Sequence, residues 1–182
     1  MAQRTNMPKK ILQKEAPILR EICKNIPVDS INSPKIKKII REMKSALASQ
    51  DDGVAISANQ IGYPLRIFIV SKRVGSIIGK NKIEALDNLE DSVFINPILK
   101  KVSKERHIIE EGCLSVRYLY GKVSRGKKAI IQAWDENGQK FERGGTGLLA
   151  QIFQHEMDHL DGILFIDKAK YVEDLPPTNI KS

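Results

Sequence analysis

The sequence predicts an α+β fold in which antiparallel β-sheets surround a central C-terminal helix. Short segments rich in β-branched and aromatic residues, typical of strands, fill the middle of the chain. An Asn137-Gly138 pair between two of these segments is a strong hairpin signal. An amphipathic helix follows at residues 148–160. At 182 residues, the chain is expected to form one domain, with residues 1–7 and 174–182 as flexible ends.

A first helix is predicted directly after Pro17, because apolar residues recur there at helical spacing. These residues are Ile18, Leu19, Ile22 and Cys23. Since Cys23 falls on the apolar face, a small buried hydrophobic side chain is a better interpretation than a reactive thiol.

A second helix has clearer signals. Ser33 is a good N-cap, and Pro34 suits the first helical position. Residues 51–53, Asp-Asp-Gly, are expected to end this helix. One apolar stripe runs along it, formed by Ile36, Ile39, Ile40, Met43 and Leu47.

Composition predicts the strands, because β-branched and aromatic residues favour a pleated, partly buried surface. An Asn96-Pro97 pair is expected to break one of the segments into two strands. Residues 74–91 mix glycine, lysine, asparagine and acidic residues, which favours a surface excursion. The predicted strands are residues 66–70, 93–95, 98–102, 107–110, 129–134 and 139–142.

The overall composition is that of an ordinary globular protein, with 41% apolar and 29% charged residues. No apolar run is long enough for a membrane span. Two cysteines do not make a disulfide framework, so a cytoplasmic location is expected. The net charge of +8 would suit an anionic partner such as ribosomal RNA, but no DNA-binding motif accompanies it.

The C-terminal helix carries a metal-binding pattern. His155 and His159 are one helical turn apart on one face, and Glu156 stands beside them. Two imidazoles at this spacing can share a metal ion, and the carboxylate can take a proton from water on that metal. Both histidines continue the core-facing stripe of the helix, where burial without a partner would be costly. Gly162 is placed to end the helix.

A catalytic metal needs a third protein ligand. No histidine and few acidic residues follow the helix, which weakens the interpretation as a zinc peptidase. Cys113 is the other candidate, because a free cysteine beside glycine at the end of an apolar strand can bring a thiolate to a metal. Judged in isolation, however, a buried structural cysteine is the better interpretation of Cys113.

Three stretches occur in the chain in a fixed order: residues 53–60 (Gly-Val-Ala-Ile-Ser-Ala-Asn-Gln), 111–115 (Glu-Gly-Cys-Leu-Ser) and 154–160 (Gln-His-Glu-Met-Asp-His-Leu). Together they closely resemble the signature motifs of the peptide deformylase family, metal hydrolases that remove formate from N-formylmethionyl polypeptides. Shorter similarities at residues 17–20, 120–125 and 147–150 extend the resemblance over about residues 8–170.

The resemblance implies that Cys113, His155 and His159 bind one divalent metal, most often Fe²⁺ in this family, with Zn²⁺, Ni²⁺ and Co²⁺ also able to bind. It implies that Glu156 is the general base and acid. The side-chain amide of Gln60 and the backbone N–H of Leu114 are then expected to stabilise the negative charge that develops on the formyl oxygen.

The implied substrates are N-formylmethionyl nascent peptides in a bacterial-type or organellar translation compartment, with transient ribosome contact and no DNA or membrane partner. The peptide is expected to pair as an added strand with residues 53–56. The predicted substrate-binding residues are Gly53, Val54, Ala55, Ile56, Ile109, Glu111, Gly112, Leu148 and Ile152, of which Ile56, Ile109, Leu148 and Ile152 are the candidates for a methionine pocket.

Some positions depart from the family pattern without touching a predicted ligand. Ala55 replaces the second glycine of the first motif, and Ser57 replaces an alanine. Arg117-Tyr118 stand where the family commonly has Pro-Gly, and Gln151 stands where an aliphatic residue is common. These departures bear on substrate preference and loop shape more than on the chemistry. Asp158 is predicted either to pair with Arg125 or to be exposed.

Two further hypotheses compete with a deformylase. One is a metallopeptidase, which would need a ligand other than Cys113. The other is a non-catalytic, metal-stabilised module that docks on the ribosome through its basic surface.

Overall fold

Two antiparallel sheets and three helices make up the fold in the computed structural model, which describes residues 7–78 and 90–176. The helices are α1 (Pro34–Ala48), α2 (Arg73–Ile78) and α3 (Leu148–Leu160). Five strands form the larger sheet, in the order β1 (Ala55–Ser57), β2 (Ile67–Val70), β3 (Ser92–Val102), β6 (Lys128–Trp134) and β7 (Lys140–Thr146). Three form the smaller, in the order β4 (Arg106–Gly112), β5 (Leu119–Gly126) and β8 (Val172–Asp174). The predicted α+β class is confirmed.

Helix α1 begins as predicted. The Ser33 hydroxyl accepts a hydrogen bond from the Ile36 N–H at 3.4 Å, and Pro34 occupies the first turn, where its missing N–H costs nothing. The whole predicted stripe is buried, so one face of α1 packs on the core: Ile36, Ile39, Ile40, Met43 and Leu47.

The predicted first helix is wrong. Only a 3₁₀ turn forms at Pro17–Arg20, because Glu21 is extended and the Cys23 N–H bonds to the Leu160 carbonyl at 2.9 Å. Leu19 and Cys23 are buried, but Ile22 is 73% exposed. Burial raises the pKa of the Cys23 thiol to about 11, which agrees with a structural role.

The strands differ from the prediction at β3, and β1, β5 and β8 were not predicted as strands. Strand β3 runs unbroken through Asn96-Pro97, although its pairing with β6 shifts register between Ile95 and Ile98. Asn96 adopts a φ of 49° and its side chain bonds both backbone groups of Ile26, at 2.8 and 2.7 Å. Strand β5 was not predicted, since its glycines and charged residues hide the alternation.

The surface excursion begins as helix α2, and residues 79–89 lie outside the described part of the chain. The hairpin of β6 and β7 forms around Asn137-Gly138 as predicted. Asp174, the first residue of the predicted flexible C-terminal end, lies in β8 and pairs with Leu119 of β5. Residues 1–6 and 177–182 lie outside the described residues. Within the part that is described, no helix is long and apolar enough to cross a membrane.

Helix α3 lies between the two sheets. Its apolar face meets the larger sheet, where the Phe153 ring lies 5.4 Å from that of Phe94 and 6.4 Å from that of Phe68. On the smaller sheet, the Gln154 side chain bonds both backbone groups of Gly126, at 2.9 and 3.0 Å. The helix ends at Leu160, and Gly162 follows with a φ of 75°, which favours glycine. Helix α3 thus contacts the larger sheet through Phe153 and the smaller sheet through Gln154.

Candidate metal centre

Three side chains that can bind a metal meet where α3 faces the end of β4. The Sγ atom of Cys113 and a ring nitrogen from each of His155 and His159 lie within 4.8 Å of one another. Cys113 Sγ is 3.1 Å from His159 Nε2. A thiolate with two imidazoles suits several divalent transition metals, so these residues fit the predicted metal.

The ring of His155 is oriented by Glu111. Its Nδ1 lies 3.0 Å from Glu111 Oε2, and an ionised carboxylate can only accept, so Nδ1 carries the hydrogen and Nε2 is left to bind a metal. Burial lowers the pKa of His155, but hydrogen bonds with Cys113 and Glu111 outweigh burial and raise it. Burial lowers the pKa of His159 well below its usual range, which favours the neutral, metal-binding form.

Behind His155 lies a buried network of paired charges. Arg125 donates to both oxygens of Glu111, at 2.7 and 2.8 Å, and to Asp158 at 2.6 Å. Lys168 completes the network by donating to Asp158 at 2.6 Å. Burial raises the pKa of Glu111, but hydrogen bonds from Arg125 and His155 outweigh it and hold the pKa at about 2. The predicted pairing of Asp158 with Arg125 is confirmed.

Glu156 has the opposite surroundings. Its carboxylate is buried, and among the described residues its Oε2 has no hydrogen-bond partner. Burial raises the pKa of Glu156 to about 7, against smaller lowering effects of His155 and the Ser57 hydroxyl. A carboxylate with a pKa near neutrality, beside a metal site, is suited to transfer protons.

The amide of Gln60 points its nitrogen at the metal donors. Gln60 Oε1 accepts from the backbone N–H of Ser57 at 2.8 Å and lies 3.1 Å from the Ser57 hydroxyl. Its Nε2 donates to Ser115 Oγ at 3.0 Å and lies 3.6 Å from Cys113 Sγ. Because both ends of the amide have fixed partners, its nitrogen is directed toward Ser115 and the Cys113 sulfur.

A cavity of about 360 Å³ opens beside these groups. Ile56 does not line it, because that side chain is fully buried in the core on the other side of β1. Ile109 is half-buried opposite Val123 and is not in the cavity wall. The predicted residues that do line it are Gly53, Val54, Ala55, Gln60, Glu111, Gly112, Cys113, Leu114, Leu148, Ile152, His155 and Glu156.

The model of the polypeptide deformylase family matches residues 8–174 of this chain. The chain belongs to this family. A peptide deformylase from Syntrophomonas wolfei is 40% identical over 147 residues, which are 80% of this chain and 84% of that protein. The chloroplastic/mitochondrial peptide deformylase 1A of Arabidopsis thaliana is 36% identical over 84% of this chain, but the match spans only 58% of that longer protein.

The fold also matches solved deformylase structures. A peptide deformylase from Acinetobacter baumannii, crystallised with Met-Ala-Ser bound, superposes with a TM-score of 0.75 at 28% identity, covering 88% of this chain and 98% of that one. The three motif stretches of the deformylase family thus lie around one cavity in this chain.

The sequence did not point to several groups that shape this deformylase site. Asn59 Nδ2 donates to the His159 carbonyl at 2.8 Å, and Ser115 holds Gln60. Arg117 crosses the cavity rim to both oxygens of Asp52, at 2.5 and 3.0 Å. Each contact joins segments far apart in the chain, so no local pattern indicates it.

Proposed function

We propose that this chain hydrolyses the formyl group from N-formylmethionyl peptides and releases formate. The observation that carries the proposal is the meeting of three donor side chains, Cys113, His155 and His159, with the buried carboxylate of Glu156, whose pKa is raised to about 7. Family membership supports the same reaction. The third ligand is a cysteine that precedes the helix in the chain, which does not favour a metallopeptidase.

The metal, when bound, supplies Lewis acidity and lowers the pKa of water. Fe²⁺ is the metal we expect, with Zn²⁺, Ni²⁺ and Co²⁺ as alternatives that this donor set also suits. Metal content and activity after loading with each ion under anaerobic conditions will identify the most active form.

Glu156 accepts a proton from the water that attacks the formyl carbon, and it returns that proton to the departing amine. Negative charge then develops on the formyl oxygen. Gln60 Nε2 and the backbone N–H of Leu114 are the donors that we assign to this oxygen. The neutral form of Glu156 that burial favours is the form that protonates the amine.

The substrate is held by backbone and apolar contacts. Residues 53–55 lie along the cavity and can pair with an extended peptide, which recognises any downstream sequence. Leu148 and Ile152 line the same cavity and are the remaining candidates for contact with the methionine side chain. The structure with Met-Ala-Ser bound supports binding of such a peptide here.

Formate release from a formyl-Met-Ala-Ser peptide, measured with anaerobically Fe²⁺-loaded protein, tests the function. We expect turnover by the unmodified chain and loss of both bound metal and turnover in Cys113→Ala. Turnover that survives Cys113→Ala would overturn the site assignment. Absence of turnover in every metal-loaded form would overturn the function.

We infer that the protein acts in a compartment where translation starts with formylmethionine. One of its relatives is a bacterial protein, and another is named chloroplastic/mitochondrial. The net charge of +8 supports transient contact with ribosomal RNA. Co-sedimentation with ribosomes should fall steeply as salt is raised. Ribosome binding that does not change with salt concentration would contradict an electrostatic contact.

A further inference from the structure

The outer face of the smaller sheet carries exposed apolar side chains that have no role in the proposed reaction. Leu175 is 54% exposed and Tyr171 is 73% exposed, one at each end of β8. The Leu175 N–H bonds to the Tyr118 carbonyl at 3.0 Å, and the Lys122 N–H bonds to the Tyr171 carbonyl at 3.2 Å. Leu175 is therefore the cross-strand neighbour of Tyr118.

The register shows which side of the sheet these residues share. A Cβ atom on Gly121 would lie 3.1 Å from the buried ring of Phe165, so the Gly121 side of β5 faces the core. Successive side chains of a strand point to opposite faces. Tyr120 and its partner Glu173 therefore face outward, and Leu175, two residues beyond Glu173, faces outward with them.

This outer face is continuous with the wall of the cavity. Tyr118 and Tyr120 both line the cavity, and Tyr118 is 41% exposed. The Tyr120 ring covers Gly112, since a Cβ atom there would lie 2.8 Å from a ring carbon. The cavity wall beside Cys113 thus includes Gly112 and both tyrosines, and Leu175 lies next to it as the cross-strand neighbour of Tyr118.

We propose that Tyr118 and Leu175 form an extension of the peptide site that binds apolar side chains downstream of the formylmethionine. The proposal rests on the proposed function, because a nascent chain is the occupant that continues out of this cavity. Two strand spacings, about 10 Å, separate β4 from β8, and an extended peptide covers that distance in roughly three residues. A peptide that leaves the cavity after its third residue would place its fourth to sixth residues, roughly, on this surface.

Three formyl peptides test the extension. The first is formyl-Met-Ala-Ser amide, and the other two are octapeptides that begin with the same three residues and continue with either leucines or serines. We expect the leucine peptide to have a kcat/KM about three- to tenfold above that of the serine peptide, as burial of one or two partly covered leucines would give. Leu175→Ser should bring this ratio close to one.

Val172→Ser is the matched control, because Val172 is on the same strand, is 43% exposed and points to the opposite face. This variant should keep the ratio of the unmodified protein. Equal kcat/KM for both octapeptides, or a ratio that Leu175→Ser leaves intact, would overturn the extension. If the unmodified protein is a dimer that Leu175→Ser dissociates, and the ratio of the two kcat/KM values is unchanged, the face serves self-association. That result would also overturn the extension. No formate from the tripeptide amide would instead refute the proposed function itself.

Discussion

His155 and His159 are one turn apart on α3, yet their surroundings are opposite. The ring of His155 is backed by Glu111, whose charge is paired with Arg125 and through it with Asp158. Within residues 7–78 and 90–176, the buried Nδ1 of His159 has no hydrogen-bond partner, and neither has Oε2 of the neighbouring Glu156. The side of the metal centre behind His155 is thus saturated with partners, and the side at Glu156 is not.

This difference separates stability from function within one helix. Buried polar atoms without partners cost free energy, and native structures contain few of them. Among the residues that the structure describes there are three such side-chain atoms, and two belong to Glu156 and His159. At Glu156, water and substrate would supply the missing partner, whereas on the paired side Glu111 holds the ring of His155 in position.

Replacing Glu156 should have the largest effect. In Glu156→Gln the proton acceptor is lost while the shape of the side chain is kept, so kcat/KM for a formyl peptide should fall about 10²- to 10⁴-fold. Bound metal should remain, because Glu156 is not a ligand. The free energy of unfolding should not fall, because burial raises the pKa of this carboxylate, so its charge does not stabilise the fold. The exposed Glu142 offers the control Glu142→Gln, which should keep full activity. Glu156→Gln activity within tenfold of the unmodified chain would contradict the role.

Removing a charge from the paired side should instead destabilise the fold. Arg125→Met leaves Glu111 buried without its guanidinium partner, and breaking a buried ion pair in this way costs about 3–5 kcal/mol. Denaturant unfolding of the metal-free protein measures the loss. The exposed Lys100 gives the control Lys100→Met, expected to stay within about 0.5 kcal/mol. A loss of under about 1 kcal/mol in Arg125→Met would show that the network does not stabilise the protein.

The paired and unpaired sides also differ in how far the sequence predicts them. Helix α3 and its histidines are visible locally, because helical periodicity places them on one face. The burial of Arg125 is not visible, since it depends on Glu111 from another strand and Asp158 from the helix. Helical periodicity also wrongly predicts that Ile22 is buried. The chain is extended there, and the Cys23 N–H bonds to the Leu160 carbonyl.

Cys113 shows the same limit within the site. Its sequence neighbours favour a structural cysteine, and only the family resemblance predicts that it is a metal ligand. In the structure its sulfur lies 3.1 Å from His159 Nε2. The partners that orient Gln60 are Ser57, which is local, and Ser115, which is not. Local patterns therefore predicted the elements, and long-range contacts decided how the side chains in the site are held.

Acid should destabilise the fold through the paired side of the metal centre, where Glu111 lies. The pKa of Glu111 is about 2 in the fold against an ordinary 4.5, so the folded state binds the proton less readily than the unfolded state. The stabilisation is complete above pH 4.5 and is lost as the pH falls toward 2, by about 3 kcal/mol in total. Unfolding free energies from pH 6 to pH 3 should fall less steeply in Glu111→Gln than in the unmodified chain. Parallel curves would show that Glu111 does not cause the acid sensitivity.

The smallest effect is expected at Ser57, where the two sides of the comparison meet. The Ser57 hydroxyl lies 3.1 Å from Gln60 Oε1 and lowers the pKa of Glu156. In Ser57→Ala the backbone N–H still holds Gln60 Oε1 at 2.8 Å, so kcat/KM at its optimum should fall by no more than about tenfold, the value of one ordinary hydrogen bond. Because the Ser57 hydroxyl lowers the pKa of Glu156, its loss should raise that pKa, so the base is protonated at higher pH and the acid limb of the kcat/KM profile should move upward. An acid limb that stays in place, with activity reduced at every pH, would mean that Ser57 acts on Gln60 alone.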